Sequence, residues 1–147
     1  MINFFLINRI ILIIIVLFGA WLGFFVYFNN RKGKINRLFL AMICLVLLWI
    51  ILCYISGILV DNLDLSLTLA RMAYGVAILF FIPFYWFFSV LTQEKLSNIL
   101  SIIIPIASIV IFFLSVFSDF MAIEMIEAKI MGVSIGMVPV VGQGKFF

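Results

Sequence analysis

Long apolar runs separated by short polar stretches dominate the chain. The runs cover residues 10–28, 38–60, 72–92 and 99–117, and none of them carries a charged residue in its interior. A helix needs about 20 apolar residues to cross a hydrocarbon layer about 30 Å thick. The pattern therefore predicts four membrane-spanning helices and an all-α fold, a polytopic transmembrane helix bundle.

The last stretch of the chain, residues 118–147, has a different pattern. It is too polar and too rich in glycine for a fifth span. Within it, "EAKI" alternates polar and apolar residues and "VSIGMVPVV" is rich in β-branched residues, which favours a short hairpin. The sequence predicts a single membrane domain over residues 1–147 that ends in a short irregular or β segment.

Composition agrees with a lipid environment and excludes several classes of function. The chain is 68% hydrophobic and 10% charged, whereas a soluble domain has about 25% charged residues. It has no His, the commonest general base and metal ligand. "GQGKFF" lacks the full glycine pattern of a nucleotide loop. We predict that the chain has no catalytic domain and binds no metal or cofactor. We interpret its net charge of +3 as a signal for membrane topology rather than for nucleic-acid binding.

The first apolar run is read as a span that stays in the protein. It is longer than the 7–15 residues usual in a signal peptide, and no A-x-A-like site precedes Asn29. Four of the nine basic residues follow within seven positions, in the connection between the first and second spans: Arg31, Lys32, Lys34 and Arg37. Positively charged connections stay in the cytoplasm. We therefore predict an outside amino terminus and an extracellular segment after Ser118.

The same basic connection has a predicted partner in the membrane. Basic residues near the surface attract anionic lipid headgroups, with about 1 kcal/mol for each Lys or Arg. The predicted partners of the chain are thus the lipid bilayer and, at this connection, anionic headgroups.

Arg71 is the ionisable residue closest to the interior of a predicted span, at the outer end of the third run. Two hypotheses account for it. It reaches the headgroups or pairs with Asp61 or Asp64, or it forms the polar floor of an outward-facing ligand site with Tyr54 and Tyr74. Charged groups at membrane depth are costly and often functional. The sequence leaves both hypotheses open.

Small residues recur at helical spacing and predict close packing between helices. They are Gly19 and Gly23 in the first run, Ala70, Ala73 and Ala77 in the third, and Ser101, Ser108 and Ser115 in the fourth. Such residues let membrane helices approach closely. Packing within one bundle is the simplest interpretation, and a homodimer through the same kind of packing stays open. Pro83 predicts a kink in the third helix because it removes a backbone hydrogen bond.

Two segments resemble a known family. "INRLFLAMICLVLLW" (35–49) and "DLSLTLARMAYGVAILFFIPFYWFFSV" (64–90) are similar to the seven-helix membrane region at the amino terminus of many bacterial histidine kinases. The resemblance lies in Asn36, Phe39 and Trp49, then Arg71 and Tyr74, then Pro83, Phe84 and Trp86. "MVPVVGQGKFF" is similar to the glycine-bearing stretch before the family's fifth helix, with Gly142 and Gly144 in the corresponding positions.

This resemblance implies a membrane sensory input module of a signal-transduction protein, in the bacterial cytoplasmic membrane. In such proteins the bundle passes a conformational change to a cytoplasmic output domain, a histidine kinase or a diguanylate cyclase. Three helices and the output domain are missing here, so the chain is expected to be the amino-terminal part of a larger seven-helix region. The alternative is a fragment of a membrane transporter or assembly protein without a signalling role.

Overall fold

A computed structural model describes residues 4–59, 62–93, 98–118, 124–130 and 133–140. Within these ranges the chain forms five helices and two strands: α1 (Phe4–Asn29), α2 (Lys34–Ile58), α3 (Leu63–Leu79), α4 (Phe81–Thr92), α5 (Asn98–Phe117), β1 (Glu124–Ile130) and β2 (Val133–Val140). Four helical segments are long and apolar enough to span a membrane, with α3 and α4 together forming the third. The prediction of four apolar spans is confirmed.

The turn between α1 and α2 is shorter than the sequence predicts. Gly33 is extended and precedes the first residue of α2, which is Lys34. Its backbone N–H donates to the backbone and side-chain oxygens of Asn30, each at 3.1 Å. Of the four predicted loop bases, only Arg31 and Lys32 therefore lie in the turn, and Lys34 and Arg37 belong to the first turn of α2. We call this end of the bundle the basic end and the opposite end the hairpin end.

The third span begins nine residues earlier than predicted. The Asn62 side chain accepts a hydrogen bond from the N–H of Leu65 at 3.1 Å, which caps α3 at its amino terminus. Helix formation thus starts at Leu63 and takes in Asp64, which the sequence assigns to a loop. The full span, Leu63–Thr92, is 30 residues long.

The division of this long span into α3 and α4 falls at Phe80, where the backbone keeps helical angles and the N–H groups of Phe80 and Phe84 still bond to the carbonyls four residues earlier. Pro83 lacks an N–H, so the carbonyl of Leu79 has no helical partner at that position. The kink expected at Pro83 stays a prediction. The Pro83 ring is buried, while Pro105 lies inside α5 without interrupting that helix.

Consecutive spans run antiparallel, and the contact between α2 and α3 is the most extensive among the described helices. α3 lies between α2 and α5. It packs against both α2 and α5, whereas α1, among the described elements, packs against α2. The buried core consists of Leu52, Ala73 and Val76. Partly buried side chains surround it: Leu45, Leu69, Met72 and Phe112. Most other large apolar side chains are exposed on the outside of the bundle, as expected for helices whose solvent is lipid.

The small residues lie at helix contacts within the bundle. Gly19 and Gly23 face α2, where an added Cβ would lie 2.9 Å from Cδ2 of Leu47 and 3.0 Å from Cγ2 of Ile43, respectively. Ala70 and Ala73 are buried on α3, and Ser108 and Ser115 are buried on α5. These positions support the simplest interpretation of the small-residue pattern, packing within one bundle.

The two strands form an antiparallel pair in which Glu124 faces Val140 and Ile130 faces Val133, with a register shift between Ala128 and Lys129. They occupy part of the segment for which the sequence predicts an irregular or β structure. The pair contacts α2 and α3, at the end where α5 terminates. Whether this end is extracellular stays a prediction, and residues 141–147, with Gly142 and Gly144, lie outside the described residues.

Candidate ligand site and the polar contacts around it

Hydrogen bonds from serine side chains fix the position of α3 near the hairpin end. The Ser66 hydroxyl is fully buried and donates to the carbonyl of Ser56 on α2 at 2.6 Å. The Ser115 hydroxyl, also fully buried, donates to the carbonyl of Arg71 at 2.9 Å. One bond joins α2 to α3 and the other joins α3 to α5. The backbone around the candidate site is therefore held by polar contacts from both neighbouring helices.

The predicted site residues lie on the two helices that these contacts join. Tyr54 is on α2, two residues before Ser56, and Arg71 and Tyr74 lie on one face of α3 because they are three residues apart. All three side chains are half-buried. Ser56 and Ser66 are bonded and α2 and α3 are antiparallel, so Tyr54, two residues before Ser56, lies at the height of Thr68, two residues after Ser66. Thr68 is about one helical turn from Arg71. The structure thus brings the three residues to neighbouring heights, and a shared ligand stays a prediction.

Arg71 lies deeper in its helix than predicted. The sequence places it at the outer end of the third span, but α3 begins eight residues earlier, at Leu63. Arg71 is therefore more than two helical turns inside the helix. Asp64 is on the same helix seven residues away, about 10 Å along the axis, and Asp61 lies outside the described residues. A charged residue inside a membrane span is costly and is often functional. The interior position of Arg71 therefore indicates a function more strongly than a position at a helix end would.

At the basic end, the four predicted headgroup-binding side chains are all exposed. The guanidinium carbon of Arg31 lies 4.5 Å from the centre of the Phe28 ring, within the range of a cation–π contact. The Arg37 guanidinium donates to the carbonyl of Lys32 at 3.1 Å. The basic side chains are thus exposed on a turn whose backbone is held by hydrogen bonds. This arrangement suits the binding of anionic headgroups.

Several residues that carry the family resemblance lie at contacts between helices. The Asn36 side-chain amide donates to the carbonyl of Val26 at 2.8 Å, which ties α2 to α1. The Phe39 ring lies 6.5 Å from the Phe87 ring of α4. Trp49 lines a groove of about 210 Å³ with Val76, Ala77 and Phe80, beside the junction between α3 and α4. Each of these three positions on α2 therefore faces a neighbouring helix.

A second groove lies between α4 and α5 and was not predicted from the sequence. It has a volume of about 560 Å³, and its lining includes Phe81, Phe84, Tyr85, Phe88, Ile104 and Ser108. The Tyr85 hydroxyl is buried and has no hydrogen-bond partner among the residues that the structure describes. The only sequence feature that pointed to this groove was a tyrosine within the apolar run "FIPFYWFF". To predict the groove from it, one must know which face of α4 meets α5, and the sequence does not specify this.

Comparison of the chain with protein families, with curated proteins and with solved structures finds no match.

Proposed function

We propose that the chain is a membrane sensory input module, or part of one, that responds by rearranging its helices and acts through a separate cytoplasmic output domain. The chain itself is not an enzyme in this proposal. Its ligand site would involve Tyr54, Arg71 and Tyr74 near the hairpin end, and its basic residues would hold the opposite end at anionic headgroups of the bacterial cytoplasmic membrane.

The observation that carries the proposal is the position of the residues behind the family resemblance. The Asn36 side chain bonds to α1, the Phe39 ring lies beside a ring of α4, and Trp49 lines a groove with residues of α3 and Phe80. All three residues are on α2, which also packs against α3, so a ligand that changes the position of α3 would act on these contacts through α2. Such shifts of packed helices are a common way to transmit a signal.

Arg71 supports the same proposal. It is half-buried, lies inside a membrane span, and its carbonyl is bonded to Ser115 of α5. An anionic or polar ligand at the guanidinium would therefore act on the contact between α3 and α5. A transporter or assembly protein remains the alternative function, and it would require a substrate that moves across the membrane rather than a shift of helices.

The first test is the reading frame that encodes the chain. The proposal expects the frame to contain three further apolar spans and an output domain with a phospho-accepting His or a diguanylate cyclase domain. Membranes from cells that express the whole frame should then show autophosphorylation or cyclic-di-GMP synthesis. A frame that encodes a permease, together with substrate accumulation that depends on it, would establish the alternative.

The second test assigns the signal to the candidate site. In the whole protein, Arg71→Ala should change the output activity several-fold, while Arg9→Ala, a control on α1, which among the described elements packs against α2 and not against α3, should leave it unchanged. Equal activity of both variants and the unaltered protein, at equal membrane levels, would remove Arg71 from the signalling site.

A further inference from the structure

The groove between α4 and α5 combines an apolar lining with two hydroxyl side chains, Tyr85 and Ser108, and the Tyr85 hydroxyl is buried without a partner among the described residues. Its volume of about 560 Å³ lies within the range of about 300–1,000 Å³ that small-molecule sites occupy. Four of its lining residues are aromatic: Phe81, Phe84, Tyr85 and Phe88. None of the lining residues is charged. The groove therefore suits a flat, uncharged compound that dissolves in the membrane.

The depth of the groove limits what can pair with the Tyr85 hydroxyl. The apolar part of α5, Ile99–Phe117, has 19 residues and is about 28 Å long, close to the thickness of the hydrocarbon layer. Ile104, which lines the groove with Tyr85, is five residues from its start, about 8 Å along the axis. This depth is below the headgroups and their ester carbonyls. The acceptor must then come from protein or from a compound dissolved in the membrane.

The lining argues against another helix in the groove. Interfaces between membrane helices are rich in small residues that let two backbones approach. Here the α4 wall consists of large side chains, Phe81, Phe84, Tyr85 and Phe88, and the small residues Ala107 and Ser108 lie only on α5, beside Ile104 and Ile111. These rings offer flat faces for stacking, and aromatic pairs prefer offset or edge-to-face geometry.

We propose that this groove binds a membrane-soluble quinone. The ring of the quinone stacks among the aromatic side chains of α4, one of its carbonyl oxygens accepts a hydrogen bond from the Tyr85 hydroxyl, and its tail follows the apolar wall of α5. The Tyr85 side chain lines the groove and its hydroxyl is buried, so this bond requires the side chain to rotate toward the ligand. An unpaired buried hydroxyl is unfavourable, and this rotation gives it a partner.

Trp86 provides a local reporter for this site. Its ring lies 6.4 Å from that of Tyr85 in an edge-to-face arrangement, and quinones quench tryptophan fluorescence. With Trp21 and Trp49 replaced by Phe, Trp86 is the single tryptophan of the chain. Decylubiquinone is then titrated into liposomes that contain this protein. We expect quenching that saturates, rather than quenching that rises in proportion to the quinone content of the membrane.

Two variants in this background test the geometry. Tyr85→Phe keeps the ring and removes the hydroxyl, and we expect the apparent affinity for decylubiquinone to fall about two- to tenfold, the effect of one hydrogen bond. Ala107 is exposed and lines the groove, so Ala107→Phe places a ring in the groove. This variant should abolish the saturable part of the Trp86 quenching. Tyr27→Phe, a control on α1 outside this groove, should leave the affinity unchanged.

A competitor separates recognition of the carbonyl from simple burial of the tail. Decylbenzene has the same tail and no carbonyl, so it should compete about two- to tenfold less well than decylubiquinone in the unaltered groove. Against Tyr85→Phe, the two compounds should compete equally. Non-saturable quenching in the parent protein would mean partition into the bilayer and would overturn the site. Equal affinities for Tyr85→Phe and its parent would overturn the role of the hydroxyl.

Discussion

At the scale of single residues, Gly75 shows how tightly α3 and α5 approach each other. A Cβ added at this position would lie 2.6 Å from Cδ2 of the Phe112 ring, and Phe112 packs against the buried core. We expect Gly75→Ala to lower the free energy of unfolding by about 1–3 kcal/mol, because a packed ring must shift to make room. Unfolding in mixed detergent micelles, followed by circular dichroism, measures the change.

Gly19→Ala is the matched control for this prediction. Its added Cβ would meet Cδ2 of Leu47 at 2.9 Å, the far end of a flexible side chain. We therefore expect a smaller loss than at Gly75. Equal losses at both positions would mean that the contact between α3 and α5 is no tighter than the contact between α1 and α2.

The half-buried position of Arg71 leads to a second prediction at this scale. If its side chain extends to the headgroups, Arg71→Lys should leave the free energy of unfolding nearly unchanged, since lysine reaches the same region. Arg71→Ala should cost on the order of 1 kcal/mol or less, as for exposed charge pairs. Detergent unfolding of both variants measures these costs. A loss several times larger, not restored by lysine, would indicate a buried bidentate pair and would support the ligand site.

At the scale of the helices, the two fully buried serines hold α3 independently on its two sides. Ser66→Ala removes the bond to α2, and Ser115→Ala removes the bond to α5. We expect each to lower the free energy of unfolding by about 0.6–2 kcal/mol, the range for hydrogen bonds between membrane helices. Because the two bonds share no partner, the double variant should lose the sum within about 0.5 kcal/mol.

Ser118→Ala is the control, since Ser118 directly follows α5 and its hydroxyl donates locally to the carbonyl of Leu114, four residues earlier, rather than to another helix. It should cost less than either buried serine. A double variant that loses much less than the sum would show that α3 moves as one unit when either contact is removed.

The sequence predicted the helices better than the contacts between them. Continuous apolar runs identify a span directly, because lipid requires about 20 such residues. The start of α3 was misplaced since Asp64 resembles a loop residue, and the cap from Asn62 that starts the helix depends on local backbone geometry. The partners of Ser66 and Ser115 and the burial of the Tyr85 hydroxyl could not be predicted, because the rotation of each helix is set by packing rather than by hydrophobicity.

At the scale of the whole molecule, the charge at the basic end predicts orientation. Four clustered bases are disfavoured outside the cytoplasm. Alkaline phosphatase fused after Asn62 should therefore be active, and the same enzyme fused after Gly33 should be silent. The reverse pattern would place the amino terminus in the cytoplasm.

Replacing Arg31, Lys32 and Lys34 with Gln tests whether the charge sets this orientation. Part of the triple variant should insert inverted, so that phosphatase activity appears after Gly33 as well. Replacing Lys129 and Lys145, which lie near the other end of the chain, should not produce this effect. Correct insertion of the triple variant would mean that other features fix the topology.

The unequal lengths of the spans have a mechanical consequence. The third span follows a path of about 45 Å, since each of its 30 residues adds about 1.5 Å. A bilayer of ordinary thickness accommodates so long a span by tilting it, and a thinner bilayer increases the tilt. The serine bonds hold α3 to α2 and α5, and Pro83 removes one backbone bond at the junction with α4, which makes α4 the part that can lean. Stretching or thinning the membrane should therefore change the angle between α4 and α5.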